Sequence, residues 1–526
     1  MSWVPGRGRP VTMPYDFTPL RGRSVDPQAR IAWLLRINRL AIAPGPAGQF
    51  LQMLRAQGCT LGPSTLCRYE TGAERVPLAV VRAYEAALNL PAGHLVGVVC
   101  GIDRMFGPAL APEAPLPISR ARLSEALGDW ETRVPAGTMR GADWIQAADV
   151  ITRPTGPVLL PSVLNGWVDQ LLSEAMRSVH HALTTRMHAI GLLLADRDAG
   201  RILVDSVERV SSAQGARNCI NIVAILGNST DPVVLRWLVG LFERSDGEQQ
   251  LGAAYGLLTS ICRGTLPGDL VPAVTRAVMD AAGDGMDRGR PAFMLAQRMS
   301  AGLTQQVVAR LGQYPAPTAV GARVQSPAAL SSYRVAALRE SGLDDPMLDR
   351  LLREALSPDF VERQHHALLM LAATPYRDVL ADVAVKQMAN PTEPYAAQAA
   401  AHVLIYLARP EQSRHLVELM VTSGNRYSLL QALANAGGVP DEVDLAALAD
   451  DPALAPAAVF AAGMSNHPDL QWFQTNPSLA GSEVQCVATW WGRAGSRITD
   501  VAQASQSDRL VDVEQGARSD RLILAG

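Results

Sequence analysis

One stretch of the chain gathers residue types that read nucleic acid. In Gly62-Pro-Ser-Thr-Leu-Cys-Arg-Tyr-Glu-Thr-Gly72, Pro63 suits the first residue of a helix, where its fixed φ and missing amide are harmless. Gly72 suits the left-handed residue that ends one. At helical spacing Leu66 and Tyr69 share an inward face, while Ser64, Thr65, Cys67 and Arg68 point away from it. Small polar side chains let a helix approach base edges closely, and a guanidinium makes a bidentate contact to guanine O6 and N7. The chemistry implied is recognition in a major groove, with Arg68 as its principal reader.

Residue types used in catalysis occur elsewhere, but not at catalytic spacing. His180, His181 and His188 fall on one predicted helix, yet metal-binding pairs prefer the closer spacing of H-E-x-x-H, and no carboxylate or cysteine completes a set. His365-His366 is in the same position. There is no G-x-S-x-G, no Walker loop and no G-x-G-x-x-G. Asp344-Asp345 and Asp450-Asp451 lie where helices start or end, which predicts capping. Trp472-Phe473 and Trp490-Trp491 form late aromatic pairs of the kind that close the end of a core. No enzyme activity, cofactor or metal is expected.

The elements that must hold the reading stretch are short helices. Asp26-Pro27 reads as a cap and a first-turn proline, followed by an apolar stripe through Ile31, Leu34, Leu35 and Ile37–Leu40. Pro44 and Pro46 break that helix. Ala47 to about Gln57 is a second, with Phe50, Leu51 and Leu54 inward. Gly58–Gly62 is the turn into the third. Pro77 starts a fourth, with Val80, Val81, Tyr84 and Leu88 on one face, and Pro91 a short fifth through Leu95 and Val98.

This order, with Ser-Thr-Leu-x-Arg-Tyr-Glu-x-Gly at its centre and "VPLAVVRAYEAALNL" after it, resembles the lambda-repressor-like (XRE) helix-turn-helix family. The resemblance covers Pro27–Val99. It implies a five-helix head at 27–99 bound to double-stranded DNA, with Pro63, Ser64 and Arg68 at base edges. Thr65 and the Ala47–Gln49 start of the second helix, Gln49 included, fall at phosphates. Cys67 shares the outward face with Arg68. Glu70 matches a position that is structural in the family.

Charge divides along the same line. The first hundred residues carry 11 arginines and five acidic residues, against 36 basic and 45 acidic residues in the remainder. A basic head on an acidic body predicts that only the head meets a polyanion. Residues 1–26, with Arg7, Arg9, Arg21 and Arg23, read as a disordered arm within reach of phosphates or a minor groove. Six scattered cysteines and no apolar run long enough to span a bilayer fit a reducing cytoplasm, with the protein associated with the nucleoid.

Beyond the head, residues 100–162 are Pro- and Gly-rich and read as a connector, partly ordered and packed on the body, with short helices at Ser119–Leu127 and Ala142–Val150. Residues 163–504 read as helix after helix, and 505–526 as a polar tail. Apolar, alanine-rich segments recur at Ala216–Leu226, Gln249–Ile261, Gly289–Met299, Tyr333–Leu343, Arg363–Ala373, Tyr395–Leu407, Arg426–Ala436 and Leu454–Met464. That interval suits stacked helical hairpins. The body thus resembles HEAT- or armadillo-like solenoids in architecture, and the fold class expected is all-α.

Two kinds of function fit these features. One is a sequence-specific transcriptional regulator, a homodimer on a palindromic operator whose solenoid senses a peptide, small molecule or protein. The other is a protein-interaction scaffold whose concave face binds an extended partner. A HEAT-like DNA glycosylase, suggested by the late tryptophans, is a distant third.

Overall fold

The computed structural model describes residues 13–20, 24–107, 120–153, 156–157, 159–312, 327–357, 361–389, 394–422 and 424–500. Among them the chain is all-α, with 27 helices and no strand. No helix among these residues is long and apolar enough to cross a membrane.

The head comprises α1 (Pro27–Ile42), α2 (Ala47–Ala56), α3 (Pro63–Thr71), α4 (Leu78–Ala87) and α5 (His94–Phe106). Asp26 caps α1 by accepting the Ala29 amide. The fifth helix is longer than the short one expected, running seven residues past the boundary at 99. Its Leu95, Val96, Val98, Val99, Cys100 and Ile102 are all buried. A helix apolar on nearly every side is packed on every side. Its start is fixed by the Glu85 carboxylate, which accepts the amides of Gly93, Leu95 and Val96 at 2.9, 2.5 and 2.8 Å.

The segment expected as a connector holds α6 (Arg120–Arg133) and α7 (Gly141–Ile151). Trp130 and Trp144 are buried in the body's core with Trp167, so these helices belong to the body; residues 108–119 lie outside the described residues. A first stack follows: α8 (Pro161–Arg177), α9 (His180–Ala195), α10 (Arg197–Ser211), α11 (Ile220–Ala224), α12 (Pro232–Arg244), α13 (Gly247–Arg263), α14 (Val271–Gly283), α15 (Met286–Met299) and α16 (Ala301–Leu311). A second contains α17 (Pro327–Ser341), α18 (Pro346–Leu356), α19 (Val361–Ala372), α20 (Arg377–Ala389), α21 (Pro394–Leu407), α22 (Ser413–Thr422), α23 (Arg426–Ala436), α24 (Leu445–Leu448), α25 (Ala455–Ser465), α26 (Asp469–Thr475) and α27 (Glu483–Ala494). The eight recurrent segments fall on α11, α13, α15, α17, α19, α21, α23 and α25, every second helix. Within each stack these helices touch: α13 packs on α11 and α15, and α23 on α21 and α25.

The two stacks have separate cores, and the end of the second returns to the start of the first. Ile498 pairs with the 177–179 backbone through Val179 N to Ile498 O at 3.0 Å and Ile498 N to Arg177 O at 2.9 Å. Arg186 meets Asp500 at 2.9 Å. The tail at 505–526 lies outside the described residues.

The head is not a separate module. Its core is continuous with that of the second stack. Arg30 on α1 donates to both oxygens of Glu354 on α18, at 2.7 and 2.8 Å, and to Asp16 at 2.8 Å, with all three side chains fully buried. Trp33 Nε1 donates to Asp345, and Asn38 to the carbonyl of Ala373. The expectation of a disordered arm over 1–26 therefore fails for 13–20 and 24–26. Arg350 donates to the carbonyls of Asp16 and Thr18, and Arg363 to those of Leu20 and Ser24. Three guanidiniums face two carboxylates here, and these carbonyls take up several of the other donors, which helps make the buried charge tolerable. The four arm arginines themselves lie outside the described residues.

Candidate nucleic-acid interface

The third helix has the bounds its proline and glycine predict, Pro63–Thr71, and Gly72 closes it at φ +73°. A side chain on Gly72 would be strained at that φ, and its Cβ would lie 3.3 Å from the Ala29 backbone. The helix rests on α1 and α2. Leu66 and Tyr69 are buried beneath it. Glu70 is locked by two bonds from Arg39, at 2.5 and 2.6 Å, and one from the Tyr84 hydroxyl at 2.9 Å, which ties α1, α3 and α4 together. Arg39 also lies over the Phe50 ring, 5.8 Å from its centroid. Glu70 is thus part of the frame.

On the other face, Pro63, Ser64, Cys67 and Arg68 are exposed and Thr65 is half-buried. Gln49, on the first turn of α2, is exposed as well. Six residues separate α2 from α3, with Gly58 at φ +78°. The body grips α1 through Arg30 and Glu354, and the outward residues of α3 stay exposed.

Arg68 pairs with Glu74 at 2.7 Å, with the two side chains 53% and 43% exposed, and lies 3.4 Å from Thr65 Oγ1. A pair so exposed is well screened and easily exchanged for another anion. Two arginines that the sequence pattern did not single out stand nearby. Arg55 is exposed on the last turn of α2. Arg36 is half-buried on α1; burial pulls its pKa down, and Glu70, which holds it up, and Cys67 are both close enough to be felt. Their basic side chains, one helix away from α3, were the sign that could have marked them.

The positive charge offered to solvent is smaller than the residue count suggests. Arg30 and Arg39 are consumed in buried ion pairs, and Arg75 leans on Asp103 at 3.2 Å. The other chemistry-bearing residues serve packing or capping. Asp345 caps α18, and Asp451 accepts the Ala453 amide. Trp491 is buried against Phe460, whereas Trp472 is partly exposed. Near them Asp469 is engaged by the amides of Leu445 and Ala446.

The histidines meet at the junction of head and body. His94, His180, His181, His365 and His402 line one cavity of about 370 Å³. His180 holds a left-handed backbone at φ +52°, with its ring bonded to the Asn435 carbonyl at 3.0 Å. His188 lies 3.6 Å from the Cys100 sulfur and 3.1 Å from Arg104. His365 and His366 are adjacent on α19 and do not chelate; His365 instead meets the Tyr406 hydroxyl at 3.0 Å. Among the described residues no group of three His, Cys, Asp or Glu is arranged to hold a metal ion. Comparison of the chain with protein families, curated proteins and solved structures finds no match.

Proposed function

We propose that the chain is a sequence-specific regulator that binds double-stranded DNA through α3. One observation carries the reading. A nine-residue helix turns Pro63, Ser64, Cys67 and Arg68 outward, while its opposite face is pinned by Leu66, Tyr69 and the Arg39–Glu70–Tyr84 lock. A rigid helix with small residues in front is what a major groove admits. Arg68 supplies the base contact, and Thr65, Gln49 and Arg55 approach phosphates. A single head covers little DNA, so specific binding calls for two copies on a palindromic site. The body serves oligomerisation and sensing. The scaffold reading has less support, because α5 of the head already lies against α9, α13 and α19 on the inner side of the stacks.

The test is selection of binding sites from a randomised duplex pool by the full chain. A defined motif should emerge, and Arg68→Ala should weaken binding to it by about 10- to 100-fold, the worth of one good bidentate base contact. An unchanged motif and affinity in that variant would remove the assignment of α3.

A further inference from the structure

Beside the histidine-lined cavity lies a second, of about 340 Å³, walled by α5, α9, α11, α13, α19 and α21. Its surface is mostly apolar, with Met105, Met187, Leu258 and Tyr406 among its lining. The two cavities share seven lining residues, Thr184, Asn221, His365 and Tyr406 among them, and neither wall contains an aspartate or glutamate.

Arg104 reaches into this second cavity. Its one neutralising opportunity on the same helix, Asp103, is engaged by Arg75. Arg104 itself bonds to the neutral ring of His188 at 3.1 Å. Arg263 stands next to it, giving its own bonds to the Arg104 carbonyl and to Asn228 Oδ1. Among the described residues neither arginine has an ion-pair partner. A guanidinium keeps its proton in a protein, and both arginines are half-buried, where a charge without an ion-pair partner is less well solvated than at the surface. Arg104 in the wall of this largely apolar cavity, with Arg263 bonded to its carbonyl, leaves a place for a negative charge.

We infer that the cavity between α5 and the two stacks is a binding site for a small organic anion, an apolar body whose carboxylate, sulfonate or phosphate meets Arg104. Such sites are largely apolar, with a few placed polar groups that fix orientation. The site stands on its own geometry. That its occupant governs DNA binding rests on the reading of α3 above, since α5 is the last helix of the head.

The probe is 8-anilinonaphthalene-1-sulfonate, an apolar-bodied anion that fluoresces when bound, titrated into the full chain. N-phenyl-1-naphthylamine, which has the same rings without the sulfonate, is the uncharged control. Arg104→Met should weaken the sulfonate at least about tenfold and leave the control within about twofold, as loss of a charged hydrogen-bond partner requires. Arg104→Lys should recover part of the loss. Gly101→Leu, placed where a Cβ meets only His366 at 4.0 Å, should fill the cavity and exclude both probes. Circular dichroism shows whether each variant keeps its helices. Failure of the sulfonate to bind, or equal binding by wild type, Arg104→Met and Gly101→Leu, overturns the site. If the sulfonate binds but leaves affinity for the selected DNA motif unchanged, the site remains and its control of the head is refuted.

Discussion

Arg30 on α1 and Arg68 on α3 are both paired with glutamate, within one five-helix unit. Arg30 is fully buried and reaches 324 positions along the chain to Glu354. Arg68 is half exposed and reaches six positions to Glu74. The first pair exists only if the whole protein is folded, and breaking it strands a charge in the interior. The second is screened by water, so Arg68 can leave it for a ligand without disturbing the fold. The head therefore has two faces: one fastens, through α1 and α5, and one is left free, through α3.

Glu354→Gln should have the largest effect. Arg30, Arg350 and Arg363 all face that carboxylate, so the loss should be about 3–5 kcal/mol in guanidinium unfolding. A loss below about 1 kcal/mol would mean that the head is not fastened there.

Acid should act on the fastening side next. Burial pushes the His94 and His365 imidazoles down to about 4. His180 and His188 are shifted in the same direction, also chiefly by burial. The unfolded chain then takes up protons first as pH falls through about 6.5. Stability from these residues is thus complete above about 6.5 and is lost progressively towards 4. The slope is about 1.4 kcal/mol per pH unit for each histidine still neutral in the fold. Melting temperatures at pH 7, 6 and 5 should fall together with head–body contact, and His365→Gln should flatten the trend. The α3 segment has no histidine, so its local order should not follow that trend.

Gly72→Ala should cost about 1–2 kcal/mol, the price of a left-handed alanine, measured as a lower unfolding midpoint. Smallest in stability is Arg68→Ala, within about 0.5 kcal/mol of wild type, although it removes most of the affinity for the selected DNA motif. Should Arg68→Ala destabilise the protein as Glu354→Gln does, the two faces are not distinct.

Much of the fold was legible because it is local. Pro63 and Gly72 bound α3, Asp26 and Pro27 start α1, and alanine-rich segments mark every second helix of the stacks. The fastening of the head was not legible, since Arg30 and Glu354 form a contact that no local pattern encodes. A trace of it was present. Ala32, Trp33, Leu34, Leu35, Ile37 and Leu40 cover more of α1 than one stripe, and α5 is apolar on nearly all sides, more than a free-standing head can bury. Asp16 was hidden for another reason. A Pro- and Gly-rich composition suggested a loose arm, whereas the bonds that hold it go largely to backbone carbonyls, which every residue supplies. In the candidate site, the outward set on α3 followed from helical spacing, while Arg36 and Arg55 did not, because they lie on other helices.

The distance along the chain between Arg30 and Glu354 also sets an order of events during synthesis. At about 5–20 residues per second, a ribosome takes on the order of half a minute to produce the partner that the first helix needs. Until then Arg30 has Asp16 but lacks its bidentate partner, and Trp33 lacks the Asp345 carboxylate. Only a chain that has reached Glu354 can fasten α1 to the body, so products cut short of it carry the framed α3 on a head that is not fastened.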